Sequence, residues 1–170
     1  PNQQDLLEES DIEHLPDAIK RYIRYTGSIG KPKVQNFSIH FSGKIRRNEE
    51  SEWMPFMSEQ NNFMASPARL FFMKARMKGL PVYGYHCYKN GKAFMDIRLF
   101  SLFKVQYMDG HDMDVAETVT FFNDMCCMAP ATLIDPRISW KETGPQSVHA
   151  VFKNNAIAIS AELLFNEKGE

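Results

Sequence analysis

The spacing of hydrophobic residues along this chain switches between the helical and the strand period, and each switch marks an element. In SDIEHLPDAIKRYIRYTG, Ile12, Leu15, Ile19, Tyr22, Ile23 and Tyr25 recur at helical spacing, which predicts an amphipathic N-terminal helix over 11–27. Pro16 suits its first turn, Asp17 adds negative charge near the positive end of the dipole, and Gly27 supplies a left-handed C-cap. After SIGKPK the period falls to two. Phe37, Ile39, Phe41 and Ile45 alternate with Ser38, His40, Ser42, Lys44 and Arg46, a long half-buried strand continuing to about Arg47.

The same period persists through Trp53 to Ser58 and Leu70 to Met77. In YHCYKNGKAFMDIRL, Asn90-Gly91 stands between two alternating segments and predicts a two-residue hairpin turn. That turn sets Tyr88 opposite Ala93 and His86 opposite Met95. Val82, Gly84, His86, Tyr88, Ala93, Met95, Ile97 and Leu99 then share the predicted core face. A strand from Leu102 to Met108 ends at Asp109-Gly110. Ile138 to Thr143, Ser147 to Lys153 and Ala156 to Phe165 form a meander with turns at Gly144-Pro145 and Asn154-Asn155. About nine strands result, in a first group over 34–108 and a second over 138–165, and the connections are too short for parallel crossovers.

Between the groups lies an inserted helix over 112–130. Asp112 is its predicted N-cap, Asp114 and Glu117 place negative charge near its N-terminus, and Val115, Val119, Phe122, Cys126 and Ala129 form its apolar stripe up to Pro130. Such an insert between antiparallel strands covers a sheet face. Cys126 and Cys127 sit at the helix C-terminus, where the dipole disfavours thiolate, so the pair reads as packing rather than as a nucleophile.

With 170 residues, 44% of them hydrophobic and 12% aromatic, the chain is long and apolar enough for one domain with its own core, spanning 1–170. Twenty basic against 21 acidic residues give a net charge of -1, which offers no electrostatic ground for nucleic acid as a partner. No apolar run reaches the length of a membrane span, and PNQQDLLEESD is unlike a signal peptide. The chain starts without methionine and stops at FNEKGE, so both ends read as trimmed. Any membrane attachment would then come through a segment outside 1–170.

The three cysteines do not form a disulfide framework, and neither zinc-type spacing nor a nucleophile-elbow, dinucleotide or phosphate-loop pattern is present. Asp109, His111, Asp112 and Asp114 read as a turn and helix cap rather than as a calcium loop. No catalytic residue, metal site or cofactor is therefore assigned. Methionines and phenylalanines gather on alternating strand faces and on the inserted helix, and such adaptable side chains suit either an apolar cavity or a dry core. The candidate lining for an apolar ligand is His86, Met95, Phe121, Phe122, Asp124 and Met125, with Glu117 a second carboxylate on the same helix. An enzyme would need Asp124, His86 and Cys126 to converge within bonding distance. A protein-interaction scaffold would instead have a filled interior and an exposed apolar patch.

The segments LPDAIKRYIRYTGSIGKPKV, FSGKIR, WMPFMSEQ, FFMKARMKGLPVYGYHCYKNGKAFM and FFNDMCCMAPATLIDPRISW resemble a family of uncharacterised bacterial proteins that commonly follow an N-terminal membrane segment. The chain departs from that family at His86-Cys87 and at Asn90 to Ala93. The resemblance implies an envelope location, further strands after Glu170, and a fold similar to the half-open barrels of envelope lipoprotein carriers. The resulting expectation is an α+β fold: a curved antiparallel sheet over the inserted helix, an N-terminal helix at one end, and a non-enzymatic role in binding a lipid or acyl chain.

Overall fold

A computed structural model describes residues 5–46 and 48–170. The chain is α+β and divides into two compact units, Asn36–Glu117 and the pair of segments Pro1–Gln35 and Thr118–Glu170. Nine strands are present among the described residues, as the two-residue periods predict, but they form two antiparallel sheets rather than one.

The first unit is a six-stranded meander. Strands β1 (Asn36–Ile45), β2 (Met54–Phe63), β3 (Ala68–Met77), β4 (Leu80–Lys89), β5 (Lys92–Leu99) and β6 (Phe103–Asp109) pair in sequence order. β1 and β6 are open edges, so the sheet is not a closed barrel. Arg47, the predicted end of the first strand, lies outside the described residues; β1 stops at Ile45. At the β4–β5 turn Asn90 and Gly91 both take positive φ, 55° and 71°, the conformation that asparagine and glycine tolerate best. The register is as predicted: Tyr88 pairs with Ala93 and His86 with Met95.

Pairing fixes which side chains share a face. Asn62, Gln60, Ser58 and Phe56 of β2 stand with Arg69, Phe71, Met73 and Ala75 of β3 and with Tyr88, His86, Gly84 and Val82 of β4. Phe37, Ile39 and Phe41 extend this face across β1, and Met95 and Ile97 extend it across β5. It is apolar over most of its area and polar near one end. Gly43 and Gly84 leave room on it: a side chain at Gly43 would meet the Phe56 ring at 3.3 Å and one at Gly84 the Met73 methyl at 3.4 Å.

Helix α1 (Glu9–Ile12) is short, and α2 (Asp17–Tyr25) begins directly after Pro16, which is its N-cap. Proline lacks the N–H to continue α1 into α2, which is why the helical spacing over 11–27 resolves into two helices. At the other end Gly27 has φ 66° and its N–H bonds Arg24 O, while Ser28 N–H bonds Ile23 O. This paired pattern satisfies two carbonyls that the helix end would otherwise leave open.

Helix α3 runs His111–Met128. Its start differs from the predicted Asp112 cap, because Gly110 O accepts the first helical bond, from Asp114 N at 3.0 Å. The buried side differs more. Val119 is exposed, and the side chains turned inward are Met113, Asp114, Glu117, Thr118, Phe121, Phe122, Asp124 and Met125. Phe122 and Ala129 of the predicted stripe are buried, but polar groups occupy much of the inward side, which hydrophobic periodicity alone does not place.

Pro130 ends the α-helix and opens a 3-10 turn, Pro130–Ile134. The second sheet follows with β7 (Ile138–Gly144), β8 (Ser147–Asn154) and β9 (Ile157–Leu164) in that order. Phe152 at its centre pairs with Ile138 and Ile159, is fully buried, and stacks on Phe121 and Phe122 with centroids 6.1 and 5.6 Å apart. Arg21 of α2 donates to Pro145 O at 2.6 Å, and Tyr22 donates to Cys126 O at 2.7 Å, which ties the N-terminal helix into this unit.

Candidate functional site

Within the six-stranded unit, the polar end of the apolar face forms a continuous chain of side-chain bonds. Gln60 Nε2 donates to Asn62 Oδ1 at 2.8 Å, Arg69 Nη2 to Gln60 Oε1 at 2.9 Å, and Arg69 Nη1 to Glu117 Oε2 at 3.0 Å. His86 Nδ1 completes it at 3.1 Å from Glu117 Oε1. Gln60, Asn62, Arg69 and Glu117 are buried; His86 is half-buried. Phe71 flanks the chain, with the Arg69 guanidinium 5.0 Å from its ring centre and the His86 ring edge-on at 5.5 Å.

The placement has a local cause. Ser58, Gln60 and Asn62 alternate with Met57, Glu59 and Asn61, so the two-residue period points all three into the covered face. Antiparallel pairing sets Asn62 beside Arg69 and Phe71 beside His86. The first turns of α3 lower Glu117 onto them. Those turns are anchored by Asp114, whose carboxylate accepts from Ala93 N at 2.7 Å and from Lys92 Nζ at 2.9 Å. The Lys92 bond holds the Asp114 carboxyl below the usual range; burial opposes the shift and the Ala93 amide assists it.

Burial by itself would push the Glu117 carboxyl up, but the hydrogen bond from His86 and the charge of Arg69 outweigh it and hold the group below the ordinary glutamate range. Glu117 is thus a carboxylate at neutral pH, and His86 Nδ1 must be the donor in their bond. The opposite ring nitrogen, Nε2, is an acceptor when His86 is neutral and a donor when it is imidazolium. It has no protein partner among the described residues.

The residues proposed from sequence divide between the two units. His86 and Met95 are cross-strand partners on the six-stranded sheet. Phe121, Phe122, Asp124 and Met125 lie in the C-terminal part of α3, all buried, the two phenylalanines against Phe152. The group joined to His86 is Glu117. Sequence reasoning missed Arg69, Gln60 and Asn62. The available signal was the polar stripe Ser58-Gln60-Asn62, set at strand period within a strand that otherwise alternates normally.

Cys126 is half-buried, and burial, with Cys127 beside it, pushes its thiol up to about 12. Cys127 is exposed. Brief alkylation of the native protein followed by peptide mapping is expected to modify Cys127 ahead of Cys126 by at least about tenfold. Equal labelling of the two would contradict this placement.

No curated protein and no solved structure matches the chain at a significant level. A family model does match, over residues 5–170. The chain therefore belongs to a family of unknown function, DUF6544.

Proposed function

We propose that this domain is a non-enzymatic binding module for an apolar ligand, a lipid or acyl chain, held on the apolar face of the six-stranded sheet. One observation carries the reading. Ile39, Phe41, Phe56, Met73, Met95 and Ile97 all stand on that face and all are half-exposed. A dry core would bury such side chains, and a solvent-facing side would alternate them with polar ones. A continuous, partly uncovered apolar surface is what a hydrocarbon chain needs, and the methionines adapt to its shape.

The polar chain closes one end of this surface. Arg69 and Glu117 neutralise each other, while His86 keeps one nitrogen for a ligand's head group. No hydroxyl or thiol bonds His86 among the described residues, so the arrangement offers a recognition group rather than an activated nucleophile. The likeness of the quoted segments to membrane-anchored bacterial proteins supports a place at the cell envelope.

Titration with a dansyl-labelled fatty acid tests the reading. Met73→Lys puts a charge on the apolar face and is expected to weaken binding by at least about tenfold, the order of cost for bringing an unpaired charge against hydrocarbon. Met57→Lys, on the opposite face and 69% exposed, is expected to leave binding unchanged. Failure of the native domain to bind, or equal loss in both variants, would overturn the proposal.

A further inference from the structure

The strand order brings three hairpin tips to the same end of the six-stranded sheet: the β1–β2 loop, the β3–β4 turn at Lys78-Gly79, and the β5–β6 turn at Phe100-Ser101-Leu102. The N-terminus of α3 and the polar chain lie at the other end, where Met64 is buried and the turn is Asn90-Gly91. Each tip displays large apolar side chains to solvent. Trp53 is 56% exposed, Leu102 75% and Phe103 65%, and Met77, Leu80 and Phe100 are also exposed. Phe100 and Ser101 take positive φ, 54° and 62°, a conformation unfavourable for both residue types that nevertheless presents the phenylalanine outward.

Cations surround these tips. Lys74, Arg76 and Lys78 flank the second, and Arg98 and Lys104 flank the third; Asp96, paired with Arg98, is the one carboxylate on those strands near this end. Glu49, Glu50 and Glu52 sit in the first loop, where Arg46 lies 4.6 Å over the Trp53 ring. An open cleft of about 460 Å³ separates the first two tips, lined by Ser51, Glu52, Trp53, Met54, Arg76, Met77 and Lys78, two cations against one carboxylate.

We infer that this end of the sheet is a docking surface for a membrane bearing anionic lipid. Apolar tips enter the interface, the indole sits at head-group level, and the surrounding lysines and arginines meet lipid phosphates. A second copy of the chain suits the surface less well, since a two-fold contact pairs the patch with itself, and on the hairpins of the second and third tips five cations stand against the single carboxylate Asp96 near this end. The mode is peripheral, through hairpin tips. It does not depend on whether the apolar face holds a ligand.

Sedimentation with phosphatidylcholine vesicles carrying about one-third phosphatidylglycerol tests it. The native protein is expected to bind them, to release as salt is raised, and to show a blue-shifted Trp53 emission. Leu102→Ser with Phe103→Ser is expected to weaken binding at least about tenfold, and Trp53→Ser, a separate tip, to weaken it independently. All three positions are exposed, so an unchanged melting temperature confirms that each variant folds. Absence of vesicle binding, undiminished binding in both variants, or association in lipid-free solution that the same variants abolish would each overturn the inference. Fatty-acid titration of the tip variants keeps the two proposals apart, because they are expected to bind the soluble probe like the native domain.

Discussion

Replacing Glu117 with alanine is expected to destabilise the domain by about 3–5 kcal/mol, the cost of breaking a buried ion pair by removing one of its partners. Arg69 is buried, its Nη1 is bonded to Glu117, and removing the carboxylate takes away that ion-pair partner and the acceptor of the His86 bond. For a chain of this size the melting temperature should fall by roughly 6–20 °C. The net worth of the pair is much smaller than this penalty, because forming it required desolvating both ions. The double variant Arg69→Met/Glu117→Leu should therefore lie within about 2 kcal/mol of the native protein, more stable than Glu117→Ala alone. A double variant that loses the sum of the two single effects would show that the ions do not act as a pair. Acid reproduces the first result. With the folded-state Glu117 carboxyl held below its ordinary range, its contribution is complete at neutral pH and is lost as pH falls through that lowered value.

Phe152→Ala is expected to cost a similar amount, about 3–5 kcal/mol, by a different route. Its ring is fully buried, stacked nearly parallel to Phe121 and Phe122, and flanked by Ile138 and Ile159 on neighbouring strands. Truncation removes the transfer energy of the ring and leaves a cavity that stiff neighbours on a strand and a helix cannot fill. Phe152→Leu, which keeps most of the volume, should cost clearly less. Urea unfolding checks both, and a loss below about 1 kcal/mol for the alanine variant would mean that the site collapses freely.

The strands were legible because their signals are local. Two-residue alternation marked nine of them, Asn90-Gly91 fixed the register that sets His86 opposite Met95, and Gly27 announced the end of α2. The division into two sheets was not legible, since nothing in β6 or β7 says that they do not pair. The buried side of α3 departs from the predicted stripe in its N-terminal half, where Phe122 and Ala129 do not reach, for a physical reason. Asp114 and Glu117 are inside because Lys92, the Ala93 amide, Arg69 and His86 receive them. Those partners are supplied by strands far away in the chain: Arg69 and Glu117 stand 48 residues apart. Periodicity ranks side chains by hydrophobicity and cannot see a distant partner, so Val115 and Val119 were placed where the carboxylates belong. The tips at the open end escaped notice for a related reason: only pairing in three dimensions brings Trp53, Leu80 and Leu102 to one edge.

The central claim, that one face of the six-stranded sheet takes a hydrocarbon chain, is tested most directly by NMR of the methionine methyl groups in the presence of a spin-labelled fatty acid. Met73 and Met95 stand on the apolar face and Met57 on the other. The account predicts strong, saturable broadening of Met73 and Met95, with Met57 unaffected although it is the most exposed of the three. Broadening that follows exposure, with Met57 first, or no broadening of Met73 and Met95 at saturating ligand, would contradict it.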